Sequence, residues 1–169
     1  MEIYKPITKR RLKEAVDLWC DVNSRNITEA NLGHISTWDT SLIDDMSYLF
    51  ILKIDFNDDI SNWDTSNVLN MKFMFSYCEN FDQELYWDTS KVKNMEKMFF
   101  HCKNFNKELC WNTSNVRKMN NIFDGCINLD QIFNWDISNV QLKNKVLKYN
   151  IIFDIENYNP FPRENPILK

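Results

Sequence analysis

Hydrophobic and polar positions along this chain recur with a long period. Five of the six tryptophans stand at 38, 63, 87, 111 and 135, spaced by 25, 24, 24 and 24 residues. The same register carries Met46, Met71, Met95 and Met119, then Phe50, Phe75, Phe99 and Phe123, then Phe56, Phe81, Phe105 and Leu129. Cys78, Cys102 and Cys126 share it, and Trp38, Trp63, Trp87, Trp111 and Trp135 each open a short polar segment, as in WDTS, WNTS or WDIS. Within a unit, the apolar run Leu85, Tyr86, Trp87 before Asp88, Thr89 and Ser90 predicts a short strand entering a turn, because such polar side chains bond nearby backbone amides. Val92, Met95, Met98, Phe99 and Cys102 then fall on one face of a short helix. A unit of about 24 residues cannot form a core alone, so neighbours must stack and share one. The expected fold is an α/β repeat solenoid of about five strand-helix units of 24–25 residues.

The two ends depart from this pattern. Residues 8–22 predict an amphipathic helix, with Thr8 as N-cap and Leu12, Ala15, Val16 and Trp19 on its apolar face. Residues 1–32 are thus expected to form an N-terminal helical cap, 33–158 the repeat array and 159–169 a tail. The last unit is degenerate, with Lys143, Asn150 and Ile137 in place of Met119, Cys126 and Thr113, and the tail carries Pro160, Pro162 and Pro166.

Composition narrows the functional classes. The chain has 169 residues, 44% hydrophobic and 26% charged, enough apolar surface to bury a core. Its net charge of -4 gives no overall basic field to attract nucleic acid or an anionic membrane. Two glycines argue against phosphate-binding loops and glycine-built turns. Neither an export signal nor an apolar run long enough to cross a bilayer is visible, so the five cysteines are expected to be reduced in an intracellular setting.

The units ISNWDTSNVLNMKFMFSYCENFDQEL and LYWDTSKVKNMEKMFFHCKNFNKEL resemble the BspA-like repeat, also called DUF285, over roughly residues 33–140. The segment LKEAVDLWC before GHISTWDTS is similar to the cap that precedes such arrays. The resemblance implies a leucine-rich-repeat-like solenoid, found in bacterial surface proteins, protist proteins and large DNA viruses of protists, whose better-understood relatives bind other macromolecules. It supplies no catalytic residue.

Each candidate site is weighed against its plainer reading. The Trp, Met and Phe columns suit a stacked interior better than an exposed platform. Cysteines 24 residues apart in a line cannot surround a zinc ion as close pairs do, and read as small buried residues, while Cys110 and Cys20, off that line, are the candidates for reactive thiols. Asp39, Asp64, Asp88, Asn112 and Asp136 suggest turn capping before calcium. His34 and His101 have no catalytic partner identifiable from sequence, so no enzyme, cofactor or metal is expected. Lys9, Arg10, Arg11 and Lys13 read as a solvated helix face. Lys91, Lys93, Arg117 and Lys118 recur after the turn in neighbouring units and form the candidate partner-binding stripe, with Asp58, Asp59, Asp82 and Glu84 elsewhere in the unit. The expectation is a non-enzymatic protein-binding module, intracellular or virion-associated, with no nucleic acid and no membrane insertion. A self-associating assembly component is the alternative.

Overall fold

The computed structural model describes residues 3–142. Helix α1 spans Lys9–Cys20, and the Thr8 hydroxyl accepts the Arg11 N–H at 3.3 Å, satisfying one of the free amides of the first turn. Leu12, Ala15, Val16 and Trp19 are its buried face. The helix stops two residues short of the expected end, because Asp21 turns to extended backbone with ψ 121°. A second helix, α2, spans Arg25–Leu32 and has no counterpart in the sequence expectation. It closes on Gly33, whose φ of 76° lies in the left-handed region and whose N–H returns to the Glu29 carbonyl at 2.9 Å. A single 3-10 turn, Ile35–Thr37, leads to Trp38.

The strand-helix solenoid expected from the sequence is overturned. Among the described residues α1, α2 and the 3-10 turn are the only helical elements. Among the described residues parallel pairing is confined to the isolated bridges Asp45 with Asn70, Asn70 with Asn94, and Asn94 with Lys118, and no sheet is formed. Past the cap, the backbone is non-regular and built from consecutive turns. The Met95–Cys102 segment, expected to be helical, shows why. Lys97 and His101 have φ of 53° and 59°, which an α-helix cannot contain.

These turns have a consistent logic. The N–H groups of Met98, Phe100 and Cys102 each donate back three residues, to the carbonyls of Met95, Lys97 and Phe99. Those of Met95, Lys97, Phe99 and His101 instead donate to Lys118, Asn120, Ile122 and Asp124, at 2.7–3.0 Å. Alternate amides thus close turns or reach the next rung of backbone, as most buried backbone groups must find a partner. Apart from Gly33 at the end of α2 and Asn121, the residues with positive φ occupy the third position of hydrogen-bonded turns such as Met46–Leu49, where a type II turn requires it. Seven of them are not glycine: Tyr48, Leu52, Phe73, Tyr77, Lys97, His101 and Asn121. The turns are therefore built largely without glycine, as its scarcity in the sequence requires. A left-handed L-residue costs roughly 1–2 kcal/mol. In the first six of these positions the residue's own N–H bonds a carbonyl of the next rung, which offsets that cost.

The core is continuous from the cap through the rungs. Phe50, Phe75, Phe99 and Phe123 stack with ring centroids 5.3, 5.5 and 5.4 Å apart, and Phe56, Phe81 and Phe105 run beside them at 5.8 and 6.2 Å. Met71, Met95 and Met119 are buried with them. The cap is fastened by Asp58, which accepts the Trp19 indole N–H at 2.9 Å and pairs with Arg25, whose guanidinium lies 4.5 Å from the Trp19 ring. The expected array boundary at 158, the tail, Lys143 and Asn150 lie outside the described residues.

Candidate interaction surface

The columns that carry reactive residue types are consumed by the interior. Trp38, Trp63, Trp87, Trp111 and Trp135 are buried, and each indole N–H donates to a carbonyl on the cap-ward side, Gly33, Ile35, Ile60, Leu85 and Leu109, at 2.9–3.1 Å. The thiols of Cys78, Cys102 and Cys126 likewise donate to the carbonyls of Phe50, Phe75 and Phe99 at 2.9–3.0 Å. Burial pushes all three thiols up, Cys126 to about 12, which suppresses the thiolate that alkylation or metal binding needs.

The off-line cysteines are not activated either. Burial pushes Cys20 up to about 11. Cys110 is exposed, yet the negative charge of Glu108, whose carboxylate lies 3.6 Å from the sulfur, raises its pKa as well. Cys110 is nonetheless the exposed thiol and Cys20 the partly exposed one, whereas Cys78, Cys102 and Cys126 are buried.

Polar turn residues are equally occupied. Oδ1 of Asp39, Asp64, Asp88, Asn112 and Asp136 accepts the N–H of the serine two residues on, at 2.8–3.1 Å. Hydroxyls of Thr40, Thr65, Thr89 and Thr113 donate to carbonyls of Asp64, Asp88, Asn112 and Asp136 at 2.9–3.0 Å. Ile137 stands where the next threonine would be and has no hydroxyl, so that ladder ends there. Among the described residues no group of three or more His, Cys, Asp or Glu side chains could hold a metal ion.

His34 accepts the Ser36 N–H at its own 3-10 turn, and His101 stacks on Tyr77 at 5.1 Å. The acidic residues do not form one patch. Asp58 holds the cap, Asp59 accepts the Ser61 N–H and Asp82 pairs with Lys107. On α1, Lys9 pairs with Asp45, Arg10 with Glu14 and Lys13 with Asp17.

The stripe candidates differ from all of these. Backbone N–H groups link Asp44, Leu69, Lys93, Arg117 and Gln141 into one column: Leu69 donates to Asp44, Lys93 to Leu69, Arg117 to Lys93 and Gln141 to Arg117. Lys93 and Arg117 are thus direct neighbours. Lys118 is in the adjacent column of Asn70 and Asn94. Lys91 reaches back to the Asn67 side-chain oxygen at 2.8 Å. All four are exposed; Lys91 lies near enough to Asp88 to help lower its pKa, and among the described residues none of the four is within ion-pair distance of a carboxylate.

One surface feature had no simple signal in the sequence. Tyr48 stacks on Phe73 at 5.1 Å, and the Lys97 ammonium lies 5.4 Å from the Phe73 ring and 4.9 Å from that of Phe100. Only the left-handed backbone at Tyr48, Phe73 and Lys97 brings them outward, and the sequence does not mark it because these are not residues that favour it. Two shallow cavities border the cap. A polar one of about 300 Å³ lies by Cys20, Arg25, Lys53 and Asp58, and an apolar one of about 260 Å³ by Leu18, Ile27 and Leu32. No helix among the described residues is long and apolar enough to cross a membrane.

The family model described as Mycoplasma protein of unknown function, DUF285, matches residues 20–110 and again 85–161. No curated protein and no solved structure matches the chain. The two family matches overlap and together take in α2 and every rung described above, so the chain belongs to the DUF285 family.

Proposed function

We propose that the protein is a non-enzymatic module that binds another protein through the lateral surface of its stacked rungs. One observation carries the reading. The side chains with chemical potential, from the Cys78, Cys102 and Cys126 thiols to the Asp and Thr columns, are engaged within the stack, whereas Lys93, Arg117 and Lys118 are exposed and have no carboxylate within ion-pair distance among the described residues. Cationic side chains displayed on a rigid frame steer and select a partner of complementary charge.

The test is a pull-down from native lysate with the tagged full-length chain, beside a variant carrying Lys91→Glu, Lys93→Glu, Arg117→Glu and Lys118→Glu. A protein enriched by the native chain and lost with the folded variant is the expected result. Recovery of the chain alone, or of the same assembly proteins with both forms, would replace this reading with that of an assembly component.

A further inference from the structure

Three pairs of opposite charges join neighbouring rungs. Lys72 meets Glu96 at 2.9 Å, Lys103 meets Glu79 at 2.8 Å and Lys107 meets Asp82 at 3.2 Å. The cations of the Lys93 column have no such partner among the described residues. The Arg117 N–H donates to the Lys93 carbonyl at 2.9 Å, so two basic residues stand on directly neighbouring rungs, with backbones about 4.8 Å apart as in paired strands. Like charges placed directly opposite destabilise the pairing. Lys118 on the next column adds a third basic residue beside them.

We infer that this column is a receptor for an acidic, extended peptide segment whose carboxylates supply the missing counter-charge, which rests on the protein-binding reading above. Apolar surface frames the cations. Leu69, 39% exposed, precedes Lys93 in the same column, and Leu142, 46% exposed, takes the place of Lys118 in the next unit of the repeat. A segment that alternates carboxylates with apolar side chains matches both. A nucleic acid matches less well: the cations occupy two rungs only, the same column begins with Asp44, and the whole chain is at -4. A long polyanion would be repelled beyond the patch.

The arrangement makes stability and binding respond in opposite directions to one substitution. Arg117→Glu creates an opposite pair with Lys93 and is expected to raise the melting temperature, while weakening a fluorescent peptide of alternating Glu and Leu by ~tenfold or more, a difference of about 1.4 kcal/mol. Lys107→Glu, which breaks an existing pair away from the column, is expected to lower the melting temperature and leave peptide binding unchanged. Binding is read by fluorescence anisotropy on the full-length chain at two salt concentrations, with a single-stranded oligonucleotide of the same length as competitor. Peptide binding that survives Arg117→Glu, equal loss in both variants, or preference for the oligonucleotide would overturn the inference. If no peptide binds while the pull-down partner is still lost with the fourfold variant, the acidic chemistry falls and the protein-binding reading stands.

Discussion

The apolar residues of α1 and those of the third rung have similar spacing, yet only one of the two segments is a helix. Leu12, Ala15, Val16 and Trp19 of α1 project from continuous right-handed backbone whose amides bond within the segment. Val92, Met95, Met98, Phe99 and Cys102 are also buried together, but half the amides between Met95 and Cys102 bond the next rung. The difference lies in what each segment has beside it. A cap helix has no equivalent neighbour to offer carbonyls in register, so it satisfies its own backbone. A rung has one on each side. Periodicity of apolar residues reports which side chains face the core and leaves open where the amides go.

The sharpest way to break this comparison is to remove a side chain that only the rungs use. Trp87→Ala deletes a buried ring and the indole N–H bonded to Ile60, and should cost about 3–5 kcal/mol by denaturant unfolding, the range for large core truncations. The equivalent loss of an exposed α1 residue such as Leu18 should fall within about 0.5 kcal/mol. Asp58→Ala addresses the joint between the two regions. It leaves the Trp19 indole N–H and Arg25 without their acceptor, and a loss of about 1–3 kcal/mol is expected, with early exchange of the α1 amides by hydrogen-exchange measurements.

Smaller effects sharpen the account of the turns. Gly125 has φ of 84°, and a Cβ there would lie 2.7 Å from the His101 ring. Gly125→Ala should cost about 1–2 kcal/mol from the left-handed backbone, plus whatever the ring must move, and His101→Ala in the same chain should recover only the second part. A double-mutant cycle in thermal unfolding separates them.

The smallest effect is acid sensitivity of the Asp column. The hydrogen bond from Lys5, with those from Ser41, holds Asp39 down to about 2, and the bonds from Ser90 lower Asp88. A carboxylate depressed on folding contributes stability above its unfolded pKa of about 3.9, and that contribution is lost as pH falls toward the folded value. The melting temperature should therefore be level above about pH 5 and decline toward pH 2, with a shallower decline in Asp39→Asn. Asn112 accepts the equivalent Ser114 N–H at 3.1 Å without a titrating group, so its rung supplies the pH-insensitive reference.

Much of the candidate site was visible in residue identity. Lys93 and Arg117 share a place in the repeat, and their exposure agrees with their alternation with buried Val92, Val116 and Met95. That they stack directly, that Lys118 stands one column aside, and that the neighbouring charged columns carry opposite pairs depend on cross-rung register. The Tyr48, Phe73 and Lys97 surface was hidden because left-handed backbone at Tyr, Phe or Lys has no marker in composition.

The sequence alone determined the 24-residue register, the residues of the buried columns, the apolar face of α1 and its Thr8 cap, because each rests on side-chain chemistry repeated at fixed intervals. Tertiary structure alone decided that the rungs are built of turns instead of strands and helices. A backbone amide has the same propensity wherever it sits, and whether it closes its own turn or crosses to a neighbour is settled only when a neighbour in register is there to receive it.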